Sequence, residues 1–122
     1  MTKRILVVED QEDNRRILRD LLTSVDYEML EVEDGEAAVR AAKKHRPDLI
    51  LMDIQLPIMD GYEATRRIKA DPDLRAIPII VVTSYALSGD EEKARDAGCD
   101  AYVAKPFSPR QLLAKINEYL KA

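Results

Sequence analysis

The sequence predicts an α/β fold in which a parallel sheet of five strands is covered by helices on both faces. Five short apolar runs alternate with five longer segments whose apolar residues recur at helical spacing. The apolar runs are nearly continuous, as is typical of strands that are buried on both faces of a sheet. The connections between strands and helices are short, which also favours this layered arrangement.

The chain of 122 residues is long enough for one domain with a single core. Its formal charge of −4 is spread over interspersed acidic and basic residues, which argues against an extended nucleic-acid surface. No apolar run approaches the ~20 residues that cross a bilayer, and residues 1–4 do not begin a signal peptide. The single cysteine, Cys99, fits a reducing cytosol, and a lone histidine argues against zinc. We therefore expect a cytoplasmic protein that contacts neither nucleic acid nor a membrane directly.

The first strand is predicted at residues 5–8 and ends in Glu9 and Asp10. A helix capped by Asp13 or a neighbouring residue is expected to follow. Its inner face is predicted from apolar residues at helical spacing, which are Ile17, Leu18, Leu21, Leu22 and Val25. Three arginines fall outside this stripe and are expected to face solvent: Arg15, Arg16 and Arg19.

The second strand is predicted at residues 28–32, which alternate only loosely in polarity and therefore fit the edge of a sheet. Asp34 and Gly35 are expected to turn the chain. A narrow alanine stripe then allows a second helix to pack closely on the sheet, and it consists of Ala37, Ala38, Ala41 and Ala42. Pro47 is expected to stop this helix.

The third strand is predicted at residues 49–52, a run of four apolar residues that stops at Asp53. Pro57 lacks an amide donor, so the loop cannot continue as a central strand. Taken alone, Asp53 is equally compatible with closing a turn and with binding a ligand at the carboxyl edge of the sheet. Asp60 is expected to cap the third helix, with Glu63 as its capping-box partner.

The fourth strand is predicted at residues 77–82 and is followed by Thr83. Ser88 and Glu91 form the pattern of another capping box at the start of the fourth helix. Gly98 is expected just beyond the end of that helix, where glycine is favoured.

The fifth strand is predicted at residues 101–104 and is followed by Lys105 and Pro106. Ser108 and Pro109 fit the N-cap and the first position of the last helix. The inner face of this helix is predicted to consist of Leu112, Leu113, Ile116 and Leu120.

Right-handed crossovers permit few strand orders, and five strands of this pattern favour the doubly wound, flavodoxin-like order 2-1-3-4-5. In that order the first and third strands are neighbours, and their carboxyl ends carry Glu9, Asp10 and Asp53. The fourth and fifth strands bring Thr83 and Lys105 to the same edge. Because four of the five strands end in a functional group, we expect one shared site rather than independent turns.

Three carboxylates at one edge repel each other. Two of them ~4 Å apart cost about 4 kcal/mol at an effective dielectric constant of ~20, so positive charge must occupy the site. Lys105 supplies one charge, and three oxygen ligands suit Mg²⁺ better than Zn²⁺. A carboxylate beside Mg²⁺ and a lysine can attack phosphorus and form an aspartyl phosphate, which Thr83 could stabilise by a hydrogen bond.

The chain resembles the receiver domains of bacterial two-component response regulators over essentially all of its length. Each motif that carries the resemblance is weak alone, but their order and spacing together are specific. The motifs are Val7-Val8-Glu9-Asp10, Leu51-Met52-Asp53 with Leu56-Pro57-Ile58-Met59-Asp60-Gly61, Val82-Thr83-Ser84, and Tyr102-Val103-Ala104-Lys105-Pro106-Phe107.

The resemblance implies which residues hold the metal and the phosphoryl group. Asp53 would be the phosphoacceptor and a metal ligand, and Glu9 and Asp10 would be the acidic pair that binds Mg²⁺. The backbone carbonyl of Gln55 would be a further metal ligand, and Lys105 would contact the phosphoryl group.

The resemblance also implies a switch and a structural framework. Thr83 and Tyr102 would form the switch pair, which would reshape the face made by the fourth helix, fifth strand and fifth helix. A cis peptide bond is implied before Pro106, and structural roles are implied for Asp60 and Gly61.

A response regulator of a two-component phosphorelay is the function that the resemblance implies. It would receive its phosphoryl group from a sensor histidine kinase or a histidine phosphotransfer protein and would bind a downstream regulatory protein. It would promote its own phosphorylation and dephosphorylation without being a turnover enzyme. We expect residues 1–122 to be a receiver domain without an output domain, and Asn14-Arg15-Arg16 resembles single-domain regulators of the cell-division (DivK-like) kind more than those of chemotaxis.

Two other classes of protein are alternatives. A flavodoxin-like carrier would need a glycine- and hydroxyl-rich phosphate loop after the first strand, whereas the acidic residues 9–12 would repel a phosphate. A receiver-like interaction module that works without phosphorylation is the second alternative. The acidic pair, Thr83 and Lys105 argue against it.

Overall fold

The computed structural model describes residues 2–83 and 90–120, in which five strands alternate with five helices. Ser84 and Ser88, which belong to the sequence predictions above, lie outside the described residues. The elements in chain order are β1 (Arg4–Val8), α1 (Glu12–Thr23), β2 (Glu28–Val32), α2 (Gly35–His45), β3 (Leu49–Met52), α3 (Gly61–Ala70), β4 (Ile79–Thr83), α4 (Asp90–Asp96), β5 (Ala101–Ala104) and α5 (Pro109–Leu120).

The strands form one parallel sheet in the order β2-β1-β3-β4-β5, which confirms the predicted topology and places β2 at an edge. Val8 is level with Met52 in this sheet. The residues that follow them, Glu9 and Asp53, therefore leave β1 and β3 side by side. Thr83 is level with Ala104, so Lys105 follows β5 at the height where β4 ends.

Alternate residues of each strand point to opposite faces of the sheet, so the core has two layers. One layer lies under α1 and α5 and the other under α2 and α3. Residues of the first layer include Ile5, Val7, Leu18, Leu22, Leu49, Leu51, Leu112 and Ile116. Residues of the second layer include Leu6, Val8, Ala38, Ala42, Ile50, Met52, Ala64 and Ile68. None of the described helices is long and apolar enough to cross a membrane.

The first helix differs from its prediction in three ways. Ile17 and Val25 are 55% and 41% exposed, because the buried face of α1 is narrower than the apolar stripe and α1 ends before Val25. Asp13 lies in the first turn, and the N-cap is Gln11. Arg15 does not face solvent, since only 12% of its side chain is exposed and its guanidinium reaches back to Glu9.

Two other predicted boundaries also change. The fourth strand begins at Ile79 rather than at residue 77, since Pro78 has no amide hydrogen for the ladder. Asp34 does more than turn the chain: it accepts a hydrogen bond from the Ala37 amide as the N-cap of α2, and Gly35 is the first residue of that helix.

Helix α3 begins where it was predicted, with Asp60 accepting a hydrogen bond from the Glu63 amide. The Glu63 carboxylate is paired with Arg66 and Arg67, so the described contacts do not include the return bond of a capping box. The start of α5 follows its prediction, because Ser108 accepts a hydrogen bond from the Gln111 amide and Pro109 is the first helical residue.

The loop between β3 and α3 closes on itself at Gly61. The Gly61 amide donates to the Ile54 carbonyl over 2.9 Å, and a Cβ atom on Gly61 would lie 2.0 Å from the backbone oxygen of Asp53. A backbone atom cannot move aside as the end of a flexible side chain can. Only glycine therefore lets the start of α3 approach Asp53 this closely.

We predict that Gly61→Ala lowers the free energy of unfolding by about 1–3 kcal/mol, although alanine normally stabilises a helix, because its methyl group would overlap the Asp53 carbonyl. Urea unfolding measures the change. Arg66→Ala is the control on the same helix, since it removes only an exposed ion pair and should change stability little. A Gly61→Ala variant as stable as the native protein would contradict the close approach.

Candidate functional site

Three carboxylates meet at the carboxyl edge of the sheet. Glu9, Asp10 and Asp53 each offer a carboxylate oxygen, and these oxygens all lie within 4.8 Å of one another. The ammonium group of Lys105 is 2.7 Å from Glu9 Oε1 and 3.8 Å from Asp53 Oδ2. Within the described residues, the ammonium group of Lys105 thus lies beside two of the three carboxylates in a partly buried site.

Glu9 is held from several directions. Its amide donates to the Val32 carbonyl over 3.1 Å, which extends the ladder between β1 and β2. Its Oε2 atom accepts from the Gln11 amide over 3.1 Å, and its backbone oxygen accepts from Arg15 Nη1 over 2.8 Å. Only 3% of the side chain is exposed, so its orientation is fixed before anything binds.

Asp53 is also anchored by its backbone. Its amide donates to the Val8 carbonyl over 3.0 Å, and its Oδ1 atom accepts from the Ile54 amide over 2.7 Å. The side chain is 12% exposed. One carboxylate oxygen is therefore fixed by the loop, and the other, Oδ2, faces Lys105.

Lys105 and Thr83 are joined through their backbones, because the Lys105 amide donates to the Thr83 carbonyl over 2.7 Å. The peptide bond between Lys105 and Pro106 is cis. Thr83 is buried at the end of β4. Only 16% of the Lys105 side chain is exposed, so its charge is partly shielded from solvent.

The pKa values of the two acids that face Lys105 are shifted in opposite directions. Burial raises the pKa of Asp53 to about 6; the Glu9 charge adds to this rise and Lys105 only partly offsets it. Burial would also raise the pKa of Glu9, but the hydrogen bond and charge of Lys105 outweigh it and the net pKa is lowered. Glu9 is thus the ionised partner of Lys105, and Asp53 is the acid that takes up a proton first.

The donor set suits a hard divalent cation. Carboxylate oxygens are the ligands that Mg²⁺ and Mn²⁺ prefer, and the three described acids of this cluster are all carboxylates. Their combined charge exceeds that of Lys105. The charge and the chemistry of the cluster therefore both favour a divalent cation.

The structure brings five of the sequence-predicted site residues to one edge: Glu9, Asp10, Asp53, Thr83 and Lys105. Gln55 is exposed on the loop after Asp53. Tyr102 lies outside this cluster, on β5, where it packs against Val81 and Ala94.

Arg15 was missed as a residue of this region. It was predicted to face solvent because it falls outside the apolar stripe of α1, yet it contacts the backbone of Glu9. A signal was present in the sequence, because a cation in the first turns of a helix opposes the helix dipole and therefore calls for another partner.

Comparisons with known proteins agree with this geometry. The sequence profile of the response regulator receiver domain matches residues 5–117. The polar-differentiation response regulator DivK of Brucella ovis is 47% identical over 120 residues, which cover 98% of both chains.

Two solved structures are similar over nearly their whole length. The receiver domain of the sensor histidine kinase PA1611 from Pseudomonas aeruginosa, crystallised with a magnesium ion coordinated in its active-site cleft, superposes with a TM-score of 0.93 at 41% identity and 100% coverage of both chains. The phosphorylated cyanobacterial phytochrome response regulator RcpA superposes with a TM-score of 0.85 at 33% identity, covering 99% of this chain and 96% of its own.

We predict that Asp53→Asn stabilises the metal-free protein at neutral pH. The folded pKa of about 6 exceeds the ordinary value of 3.8, so the stability of the native protein falls as pH rises through this window. The variant should escape this loss, which is worth about 1–3 kcal/mol. The gain should be present at about pH 7.5 and mostly lost at about pH 4, where Asp53 is protonated in the folded state.

Urea unfolding at both pH values, without divalent cations, tests this expectation. Asp13→Asn is the control, since this aspartate is 88% exposed and its replacement should change little at either pH. A native protein as stable as Asp53→Asn at the higher pH would contradict the crowding of carboxylates.

Proposed function

The chain belongs to the response regulator receiver domain family, and we propose that it receives a phosphoryl group on Asp53 and passes the signal on by a change in protein binding. The single observation that carries this proposal is the grouping of Asp53 with two further acids and one lysine at the end of β3. The donor would be a sensor histidine kinase or a histidine phosphotransfer protein.

Asp53 is suited to act as the nucleophile. Its Ile54 hydrogen bond fixes one carboxylate oxygen, which leaves Oδ2 to react. Its pKa of about 6 keeps the side chain mostly ionised at neutral pH while making it a better nucleophile than an ordinary aspartate. The Asp53 oxygen forms a bond to phosphorus as the bond from phosphorus to the donor imidazole nitrogen breaks, and that nitrogen keeps the electron pair.

The acidic cluster would hold Mg²⁺, as the receiver domain of PA1611 does in its crystal structure. Glu9, Asp10 and Asp53 would contribute carboxylate oxygens, and Gln55 its backbone carbonyl. When bound, Mg²⁺ neutralises charge on the phosphoryl oxygens. Lys105 adds a second positive charge beside Asp53 Oδ2.

The signal would pass through Thr83 and Tyr102. Thr83 is joined to Lys105 through a backbone hydrogen bond, so it lies beside the group that would contact the phosphate. Tyr102 is level with Val81 in the sheet and packs near α4. Drawing Thr83 toward the phosphate would favour a second position of Tyr102 and change the face of α4, β5 and α5, which a downstream regulatory protein would bind.

Intact-mass measurement after incubation with acetyl phosphate tests the acceptor. We predict one phosphoryl adduct on the native chain when Mg²⁺ is present, no adduct without it, and none on Asp53→Asn, because a carboxamide is not a nucleophile toward phosphorus. Asp13→Asn is the matched control and should be modified like the native chain, since its carboxylate is exposed and lies outside the site.

An adduct that survives Asp53→Asn would move the acceptor to another residue. A native chain that stays unmodified under every condition would instead favour the interaction module that works without phosphorylation.

A further inference from the structure

We propose that Arg15 is a positioning residue that sets the affinity of the acidic pair for a divalent cation. This inference rests on the proposed function, because it concerns the cation that Glu9, Asp10 and Asp53 would hold. It goes beyond that function in assigning a role to a side chain outside the cluster.

The first reason is the contact itself. Arg15 Nη1 donates to the Glu9 backbone oxygen over 2.8 Å. That oxygen belongs to the peptide group that joins Glu9 to Asp10, so the hydrogen bond fixes the orientation of this peptide plane. The Asp10 Cα atom lies in the same plane, and the direction of the Asp10 side chain depends on it. On the other side of Glu9, the amide is held by the Val32 carbonyl. Arg15 and the edge of β2 thus clamp the acidic pair between them.

The second reason is that, among the described residues, the loop between β1 and α1 lacks the side-chain hydrogen bond that usually caps the start of a helix. Gln11, the N-cap of α1, makes no side-chain capping hydrogen bond within the described part of the chain. A capping side chain commonly fixes the angle at which the loop enters a helix. Here Arg15, one turn into α1, reaches back across the junction instead.

The third reason is the cost of placing Arg15 there. Its position near the start of α1 opposes the helix dipole, and only 12% of its side chain is exposed. Glu12, Glu31 and Glu33 compensate its charge, with nitrogen–oxygen distances of 3.1, 3.3 and 3.8 Å. These ion pairs offset part of that cost and favour the position of the guanidinium beside the Glu9 carbonyl.

Two effects of Arg15→Gln have opposite signs, which makes the inference testable. Removal of a cation beside several acids should by itself tighten the binding of Mg²⁺. Loss of the hydrogen bond to Glu9 should loosen the acidic pair and weaken that binding. We expect the second effect to prevail, because loss of a side chain that orients metal ligands commonly lowers affinity about tenfold or more.

Arg19→Gln is the matched control. Arg19 lies one turn further along α1, pairs with the same Glu12 and Glu31, and carries the same charge. Its described contacts do not include Glu9. Its replacement therefore reproduces the loss of charge and of ion pairs without the loss of positioning.

Isothermal titration with Mg²⁺ of the native protein and both variants, each confirmed as folded by circular dichroism, is the experiment. We expect the Kd of Arg15→Gln to rise about tenfold relative to Arg19→Gln. Arg15→Lys keeps the positive charge but not the planar guanidinium group, so it should also bind Mg²⁺ more weakly than the native protein. This variant replaces Arg15→Gln in the experiment if the glutamine variant does not fold. Raising the Mg²⁺ concentration should restore the modification of Arg15→Gln by acetyl phosphate, because the variant loses affinity for the cation and keeps Asp53.

Arg15 variants that bind Mg²⁺ as tightly as Arg19→Gln would overturn the inference and leave the proposed function intact. A native protein that binds no Mg²⁺ would overturn the metal site itself.

Discussion

Repulsion among the carboxylates of Glu9, Asp10 and Asp53 is the constraint on which the rest of the site depends. Their oxygens lie within 4.8 Å of one another. The described cation in contact with them, Lys105, is 2.7 Å from Glu9 and 3.8 Å from Asp53, so it pairs mainly with Glu9. The site therefore keeps an excess of negative charge in a partly buried place. Burial raises the pKa of Asp53 and the charge of Glu9 adds to that rise, while the excess of negative charge creates the demand for a divalent cation.

The sheet forces this crowding and prevents its relief. Val8 and Met52 are level on neighbouring strands, so Glu9 and Asp53 must leave the sheet together. The strands beneath them are buried on both faces, and Gly61 docks the next helix directly on the Asp53 backbone. The packing of the two core layers thus keeps the carboxylates close together, although their repulsion would separate them in a flexible chain.

Patterns that depend on neighbouring residues were read correctly from the sequence, and errors arose where distant elements decide. The alternation of apolar runs with helical stripes was enough to predict the strand order, and Pro57 and Asp60 marked real boundaries. The exposure of Ile17 could not be predicted, because helical spacing shows which residues share a face but not how wide a part of that face the neighbouring elements cover. The start of β4 is an exception, because it moved to Ile79 for a local reason: Pro78 cannot donate to a partner strand.

The sequence by itself determined which chemical groups stand at the ends of the strands, since each apolar run stops at a fixed residue. It therefore determined the membership of the site: Glu9, Asp10, Asp53, Thr83 and Lys105. Only the tertiary structure decided how these groups pair. The preference of Lys105 for Glu9 and the reach of Arg15 to the Glu9 carbonyl depend on strand register, loop path and the direction of each side chain. Periodicity along the chain carries no information on those distances, because they join residues held on different elements.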